Sequence, residues 1–255
     1  MSDIHLTIKG GIAELRLDNP AKLNAFTVDM LDALARHLET IERDASIRAV
    51  MVTATGDRAF CTGADINAWG DLSPAEFARY WVRDGHRIFD RLARLSKPTI
   101  AVLNGHAFGG GLELATACDM RVMAPDARLA LPEAGVGIVP GWSGTQRLMR
   151  LLPEPVVKEM ALFGHRITAD RALAFGFVAA VDADPRAAAE TLLARAITLS
   201  PRAVEVSKSM IHAAVGEDRG AMIEALGSAA IAASADRQEG VTAFREKRKP
   251  DFTGQ

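Results

Sequence analysis

The residues with the clearest chemical potential lie in the stretch Asn104 to Asp119, NGHAFGGGLELATACD, where three consecutive glycines precede a glutamate. Glycine has no Cβ, so Gly109 to Gly111 permit positive φ angles and the close approach of another molecule. The helix predicted from Leu112 begins with backbone amides that lack internal partners and favour a nearby anion. Glu113 would repel a bound phosphate, but it suits an acid or base beside a polarised carbonyl oxygen. The stretch therefore predicts an oxyanion site.

A second turn of the same kind precedes the first. The strand pattern IRAVMVTATG, Ile47 to Gly56, leads into GDRAFCTGADINAW, so strand, glycine-bearing turn and helix follow one another here as well. The pattern occurs at Gly56 to Ile66 and again at Gly105 to Leu114. We expect two sets of free amides to converge on one site.

Other chemistries find less support in the sequence. Asp65 could be a catalytic acid, but a helix cap that supports its turn is the favoured interpretation. Ser143 in GWSGT misses the GxSxG nucleophile motif, because Thr145 stands where glycine is required. The glycines also fail the GxGxxG pattern of nicotinamide binding. Three histidines without metal-ligand spacing are predicted to be surface or packing residues: His86, His165 and His212.

Several elements must position these residues. A hairpin is predicted from Ile4 to Asp18 around Gly10-Gly11, and an amphipathic helix from Val28 to Asp44. The β-branched run Lys97 to Leu103 predicts a strand buried on both faces. It lies directly before the glycine-rich turn of the stretch described first, Asn104 to Gly111, which we call the central turn. A further helix is predicted from Ser73 to Leu95. It holds four aromatic residues for which core packing is favoured over a pocket wall: Phe77, Tyr80, Trp81 and Phe89.

Composition limits the remaining possibilities. The chain has 255 residues, with 30 basic and 32 acidic side chains and a formal charge of −2, which does not favour nucleic acid or an anionic membrane as partner. Cys61 and Cys118 form no CxxC pair, so neither a metal site nor a disulfide is expected. No secretion signal and no run of ~18 apolar residues is present, which predicts a soluble, cytoplasmic protein. Only helices are predicted after Ser200, so we expect domains at 1–200 and 201–255.

Five segments together resemble a known family. They are KLNAF, AFCTGADI, NGHAFGGGLELATACD, LPEAGVGIVPGWSGTQRL and AFREKRKPDF, in this order. The chain resembles the crotonase superfamily and, within it, the enoyl-CoA hydratases. The resemblance implies an α/β fold, a spiral of repeated ββα units over 1–200, followed by a helical trimerisation region over 201–255. It also implies a homotrimer or a homohexamer of two stacked trimers.

The resemblance also assigns a site. It implies that the amides of Ala64 and Gly110 form an oxyanion hole, that Glu113 and Glu133 are the catalytic pair, and that the Gly141 amide helps to hold the catalytic water. Four side chains match positions that contact coenzyme A: Lys22, Arg58, Phe244 and Lys247. The turn at Ala64 matches such a position as well. The substrate would be an acyl-CoA thioester, with no metal and no cofactor beyond the coenzyme A that the substrate carries.

The implied reaction adds water across the 2,3 double bond of an enoyl-CoA to give a 3-hydroxyacyl-CoA. The resemblance suggests Glu113 as the base for water and Glu133 as the proton donor to Cα, whereas the residues alone leave this division open. A Δ3-Δ2-enoyl-CoA isomerase or another acyl-CoA enzyme of the superfamily is the alternative. An RNA-binding or scaffold protein is a more distant one, given the net charge of −2. Trp142 stands where many hydratases carry a small residue, and it either reshapes the acyl pocket or packs away from it.

Overall fold

The computed structural model describes residues 2–217 and 219–255. Packing divides the chain into two units, the first extending to Val204 and the second from Glu205 to Gln255. The division lies inside one helix, close to the boundary predicted at residue 200. None of the helices in the described residues is long and apolar enough to cross a membrane.

Ten strands and eleven helices lie in the described residues. The strands are β1 (Asp3–Lys9), β2 (Ile12–Asp18), β3 (Ala49–Ala54), β4 (Ala59–Cys61), β5 (Thr99–Leu103), β6 (His106–Phe108), β7 (Met120–Met123), β8 (Arg128–Ala130), β9 (Ile167–Thr168) and β10 (Ala180–Val181). The helices are α1 (Val28–Arg43), α2 (Pro74–Glu76), α3 (Arg83–Ala93), α4 (Gly110–Thr116), α5 (Gly144–Leu151), α6 (Glu154–Phe163), α7 (Ala169–Ala174), α8 (Pro185–Ala196), α9 (Pro201–Ala214), α10 (Arg219–Ala232) and α11 (Ala235–Glu246).

The strands form two sheets in the first unit. The larger has the order β1-β2-β3-β5-β7-β10, and only the β1–β2 hairpin within it is antiparallel. The smaller has the order β4-β6-β8-β9, with β4, β6 and β8 parallel. Because β4 and β6 run side by side in the same direction, the turns that follow them emerge at the same edge. This repetition of strands and helices is the α/β spiral that the resemblance implied.

The large sheet is covered on both faces, which explains why β3 and β5 are continuous apolar runs. On one face, Val50 and Val52 of β3 join a core that contains the buried stripe of α1. On the other face, Ala49 and Met51 pack with residues of α8, because successive side chains of a strand point to opposite faces.

The helix predicted from Ser73 to Leu95 is present but irregular. Ser73 forms a capping box with Glu76 at the start of α2. One π-helical segment, Phe77–Val82, then connects α2 to α3. Such π segments occur often at functional sites, and this one faces the cavity described below.

Several details differ from the sequence predictions. Helix α4 begins at Gly110, two residues before the predicted Leu112, because Gly110 and Gly111 adopt helical backbone and only Gly109 has a positive φ, at 50°. The strands β4, β6, β9 and β10 were not predicted, since a strand of two or three residues carries no detectable alternation of apolar and polar residues. The hairpin, the strand before the central turn and the helical C-terminal segment are confirmed.

Candidate active site

The central turn is packed against strands β8 and β4. The Gly109 amide donates to Ala130 O at 3.0 Å, and the Glu113 amide donates to Gly109 O at 2.9 Å. A methyl group on Gly111 would lie 2.1 Å from Cys61 O, so only glycine permits this approach of two backbones. The N-terminus of α4 is therefore fixed beside the turn that follows β4.

That neighbouring turn presents the amide of Ala64. Phe26 forms a parallel bridge with this segment, since its amide donates to Gly63 O at 2.8 Å and its carbonyl accepts from the Asp65 amide at 2.9 Å. In an extended segment the backbone N–H and C=O groups of successive residues point to opposite sides. Gly63 and Asp65 direct theirs toward Phe26, so the Ala64 amide faces away from Phe26. A methyl group on Gly63 would lie 3.3 Å from Gly110 N, which shows how closely the two turns approach.

The amides of Ala64 and Gly110 are both available to a ligand. Neither donates a hydrogen bond within the described part of the chain, and Gly110 is the first residue of its helix, where internal partners are lacking. The side chain of Asp65 accepts from the Asn67 amide at 3.1 Å and caps a short 3₁₀ turn, as predicted. The two turns thus place a pair of free donors side by side.

Glu113 is buried, with 2% of its surface exposed. Its Oε1 accepts hydrogen bonds from the amides of Trp142 and Gly144, both at 2.8 Å. Burial raises the pKa of Glu113, while the amides of Gly144, Trp142 and Gly141 and the charge of Arg147 oppose that rise. One carboxylate oxygen is therefore fixed by backbone donors, which oppose the rise in the pKa of Glu113 but do not outweigh the effect of burial.

Glu133 has a contrasting environment. It opens a 3₁₀ turn, Glu133–Val136, and is also buried. Its Oε2 has no hydrogen-bond partner among the described residues. Burial, and after it the negative charge of Glu113, raises the pKa of Glu133 to about 7 despite an opposing hydrogen bond from its own backbone amide. A carboxyl group of this kind is protonated in a substantial fraction of molecules near neutral pH.

One cavity of about 160 Å³ connects these groups. All five residues predicted to be catalytic line it: Ala64, Gly110, Glu113, Glu133 and Gly141. The rest of its wall is mainly apolar and includes Trp69, Phe77, Trp81 and Trp142. The sequence-based preference for core packing was thus incomplete for Phe77 and Trp81, because both pack in or against the core and also line the cavity.

The other two aromatic residues of that helix do not line the cavity. Phe89 is fully buried in the core, as predicted. Tyr80 is 62% exposed and serves neither as core nor as cavity wall. A helical apolar pattern shows which residues share a face, but it does not show which neighbour that face meets.

Two of the four predicted coenzyme A side chains, Lys22 and Arg58, belong to the same unit as this cavity but do not line it. Lys22 is exposed and its Nζ lies 2.5 Å from Asp65 Oδ2, next to the Ala64 turn. Arg58 is exposed directly before β4. Phe244 and Lys247 belong to the second unit, where Phe244 is 86% exposed and Lys247 ends α11 with a φ of 53°. A role for these four residues in coenzyme A binding remains a prediction.

Alternative reactive groups are less well arranged. Ser143 Oγ lies 2.8 Å from His86 Nδ1, a pair that the sequence did not indicate, but neither residue lines the cavity. Cys61 and Cys118 are free and buried, and burial raises the pKa of Cys61 to about 12, so its thiol is not a nucleophile at neutral pH. Over residues 2–217 and 219–255, no cluster of three His, Cys, Asp or Glu side chains could hold a metal ion.

Sequence reasoning missed the backbone amides that hold Glu113. The loop PGWSG supplies them, and its glycine-rich composition before a helix was the available signal. A methyl group on Gly144 would lie 2.7 Å from Glu113 Cγ, so the glycine at this position is required by the carboxylate itself.

Comparisons with known proteins agree with this arrangement. The family model for enoyl-CoA hydratase/isomerase matches residues 7–255. A probable mitochondrial enoyl-CoA hydratase 2 from Arabidopsis thaliana is 38% identical over 96% of this chain and 82% of its own length. A short-chain-enoyl-CoA hydratase from Clostridium acetobutylicum is 34% identical over 98% of this chain and 97% of its own. The crystal structure of an enoyl-CoA hydratase from Bacillus anthracis matches with a TM-score of 0.81 at 31% identity, covering 99% of both chains.

Proposed function

The chain belongs to the enoyl-CoA hydratase/isomerase family, and we propose that it is a hydro-lyase that adds water to a 2-enoyl-CoA thioester to give a 3-hydroxyacyl-CoA. One observation carries this proposal. Two buried carboxyl groups with different environments and two free backbone amides line a single, largely apolar cavity. Hydration of a conjugated thioester requires these components, namely an oxyanion site, a base and an acid.

The amides of Ala64 and Gly110 are proposed to bind the thioester oxygen. Attack of water at Cβ moves negative charge onto that oxygen, and two amide donors stabilise it most when the charge has developed. Removing one donor of this kind typically costs about 3 to 4 kcal/mol in the activation free energy. The donors belong to two turns that are packed against each other, so they need no rearrangement during the reaction.

The two carboxyl groups divide the proton transfers. Glu113, with Oε1 held by the amides of Trp142 and Gly144, is proposed to accept a proton from the attacking water. Glu133, with its pKa raised to about 7, carries the proton that is transferred to Cα. The Gly141 amide, adjacent to Trp142 in the same loop, is proposed to help orient the water.

A Δ3-Δ2-enoyl-CoA isomerase is the second candidate. That reaction moves one proton between Cα and Cγ and requires only one carboxylate. The presence of both Glu113 and Glu133 at the cavity favours the hydratase.

The remaining parts of the proposal concern binding and assembly. Lys22 and Arg58, together with Phe244 and Lys247, are proposed to contact the coenzyme A part of the substrate. The chemistry needs no metal and no additional cofactor. A homotrimer or homohexamer, a cytoplasmic location, and the absence of nucleic-acid and membrane partners stay predictions from the sequence and the resemblance.

The test is the loss of conjugated-thioester absorbance when the purified protein meets crotonyl-CoA. We expect rapid loss for the wild type and almost none for Glu113→Gln and Glu133→Gln. Glu154→Gln is the matched control, because Glu154 is an exposed carboxylate that pairs with Lys158 away from the cavity. Conversion of a 3-enoyl thioester without hydration of crotonyl-CoA would instead establish the isomerase.

A further inference from the structure

We propose that the indole of Trp142 closes the acyl pocket and restricts the enzyme to short 2-enoyl groups. This inference rests on the proposed function. With the thioester oxygen at Ala64 and Gly110 and the reacting carbons between the two glutamates, the rest of the acyl group must lie against the apolar wall. Trp142 is part of that wall.

The indole fits into space left by two glycines. A methyl group on Gly85 of α3 would lie 2.3 Å from Trp142 Nε1, and one on Gly110 would lie 2.8 Å from Trp142 Cζ3. The ring therefore spans from α3 to the N-terminus of α4. Any larger residue at Gly85 or Gly110 would displace it.

The ring also has a fixed orientation. Its Nε1 donates to Trp81 O at 3.2 Å, and the side chain is buried, with 3% of its surface exposed. It packs in tilted or edge-on geometry against Trp81 and Phe89, with both centroid distances at 5.1 Å, and against Phe26 at 5.7 Å. Such aromatic pairs and a buried hydrogen bond oppose rotation of the side chain.

Trp142 separates the cavity from the hydrophobic core. Phe26 and Phe89 contact the indole but do not line the cavity, so the ring is the layer between them and the acyl group. Truncating the ring would extend the cavity toward these two residues. Truncating Phe89 would loosen the core behind the indole and leave the indole itself in position.

The size of the cavity agrees with a short acyl group. Its volume of about 160 Å³ is below the range of roughly 300 to 1,000 Å³ that is usual for sites holding drug-sized ligands. One methylene more or less in an apolar pocket changes kcat/KM by about 10- to 200-fold. A wall that excludes several methylenes therefore has a large effect on chain-length preference.

The experiment compares kcat/KM for crotonyl-CoA and trans-2-octenoyl-CoA. The wild type is expected to favour crotonyl-CoA, and Trp142→Ala to raise the octenoyl-to-crotonyl ratio at least roughly tenfold. Phe89→Leu is the matched control, since it removes packing behind the ring and should leave the ratio unchanged. Circular dichroism verifies that each variant is folded. If Trp142→Ala does not fold, Trp142→Leu replaces it, because leucine retains apolar volume but lacks the outer ring.

Two results would overturn the inference: an unchanged ratio in the folded Trp142 variant, or an equal rise in Phe89→Leu. Failure of the proposed function is distinguishable, because it would show as no hydration of crotonyl-CoA by the wild type. In that case calorimetric titration with butyryl-CoA and octanoyl-CoA decides the role of Trp142. Tighter binding of octanoyl-CoA in the Trp142 variant, relative to butyryl-CoA, supports a pocket-closing indole, and no change in relative affinity rejects it.

Discussion

Glu133→Gln is expected to stabilise the protein above neutral pH. The pKa of Glu133 is raised from 4.5 to about 7 because the carboxyl is buried and close to Glu113. A group whose pKa is higher in the folded than in the unfolded state favours folding below its unfolded pKa. That contribution is lost as the pH rises from about 4.5 through about 7, where the folded protein must ionise a buried group.

The magnitude follows from the size of the shift. At about 1.36 kcal/mol per pKa unit, moving from 4.5 to about 7 corresponds to about 3 kcal/mol of stability. Glu133 is only 7% exposed, so solvent screening reduces this figure little. Glutamine has nearly the same shape and no charge, so Glu133→Gln removes the pH-dependent part of the cost.

Urea denaturation at pH 5, 6, 7 and 8 measures this effect. The unfolding free energy of Glu133→Gln relative to wild type should increase by about 2.5 kcal/mol across this series, because part of the effect is already present at pH 5. Glu154→Gln is the control, because an ion pair with Lys158 lowers the pKa of that exposed carboxyl and its titration lies below this range. A difference between Glu133→Gln and wild type that stays constant from pH 5 to 8 would refute the assigned ionisation.

Three further predictions concern the reaction itself. Ala64→Pro removes one oxyanion donor and should lower kcat for crotonyl-CoA by about 100- to 1,000-fold, whereas Ala64→Ser, which keeps the amide, should retain most activity. Gly144→Ala introduces a methyl group 2.7 Å from Glu113 Cγ, so it should displace the carboxylate and lower kcat by more than tenfold in protein that circular dichroism shows to be folded; wild-type kcat would contradict the assigned position of Glu113. The kcat/KM of the wild type should fall above pH 7 as Glu133 loses its proton. If the decline of kcat/KM at alkaline pH occurs at the same pH in Glu133→Asp, Glu133 is not the acid.

The elements around the site were predictable because their signals are local. Gly10 and Gly11 indicate the hairpin, and the apolar run before Asn104 indicates a strand buried on both faces. Glu113 and Glu133 were identifiable because each follows a distinctive turn within a family-like segment. The structure brings both of them to one cavity.

Other features depend on contacts between distant segments and could not be predicted. The early start of α4 at Gly110 follows from the packing of Gly111 on Cys61 O, which a sequence pattern does not reveal. Trp142 lines the cavity and also packs into the core, so the interpretation that its ring faces away from the pocket was wrong, whereas its effect on the acyl group stays a proposal. Gly85 of α3, which is distant from Trp142 in sequence, leaves the space that the indole occupies.

The most direct test of the central claim is the product formed from crotonyl-CoA in D₂O. The two-carboxylate arrangement predicts 3-hydroxybutyryl-CoA with one deuterium at Cα, detected by mass spectrometry and NMR. The same product should be almost absent with Glu113→Gln and with Glu133→Gln. Folded wild-type protein that leaves crotonyl-CoA unchanged, or variants that form the product at the wild-type rate, would contradict the account.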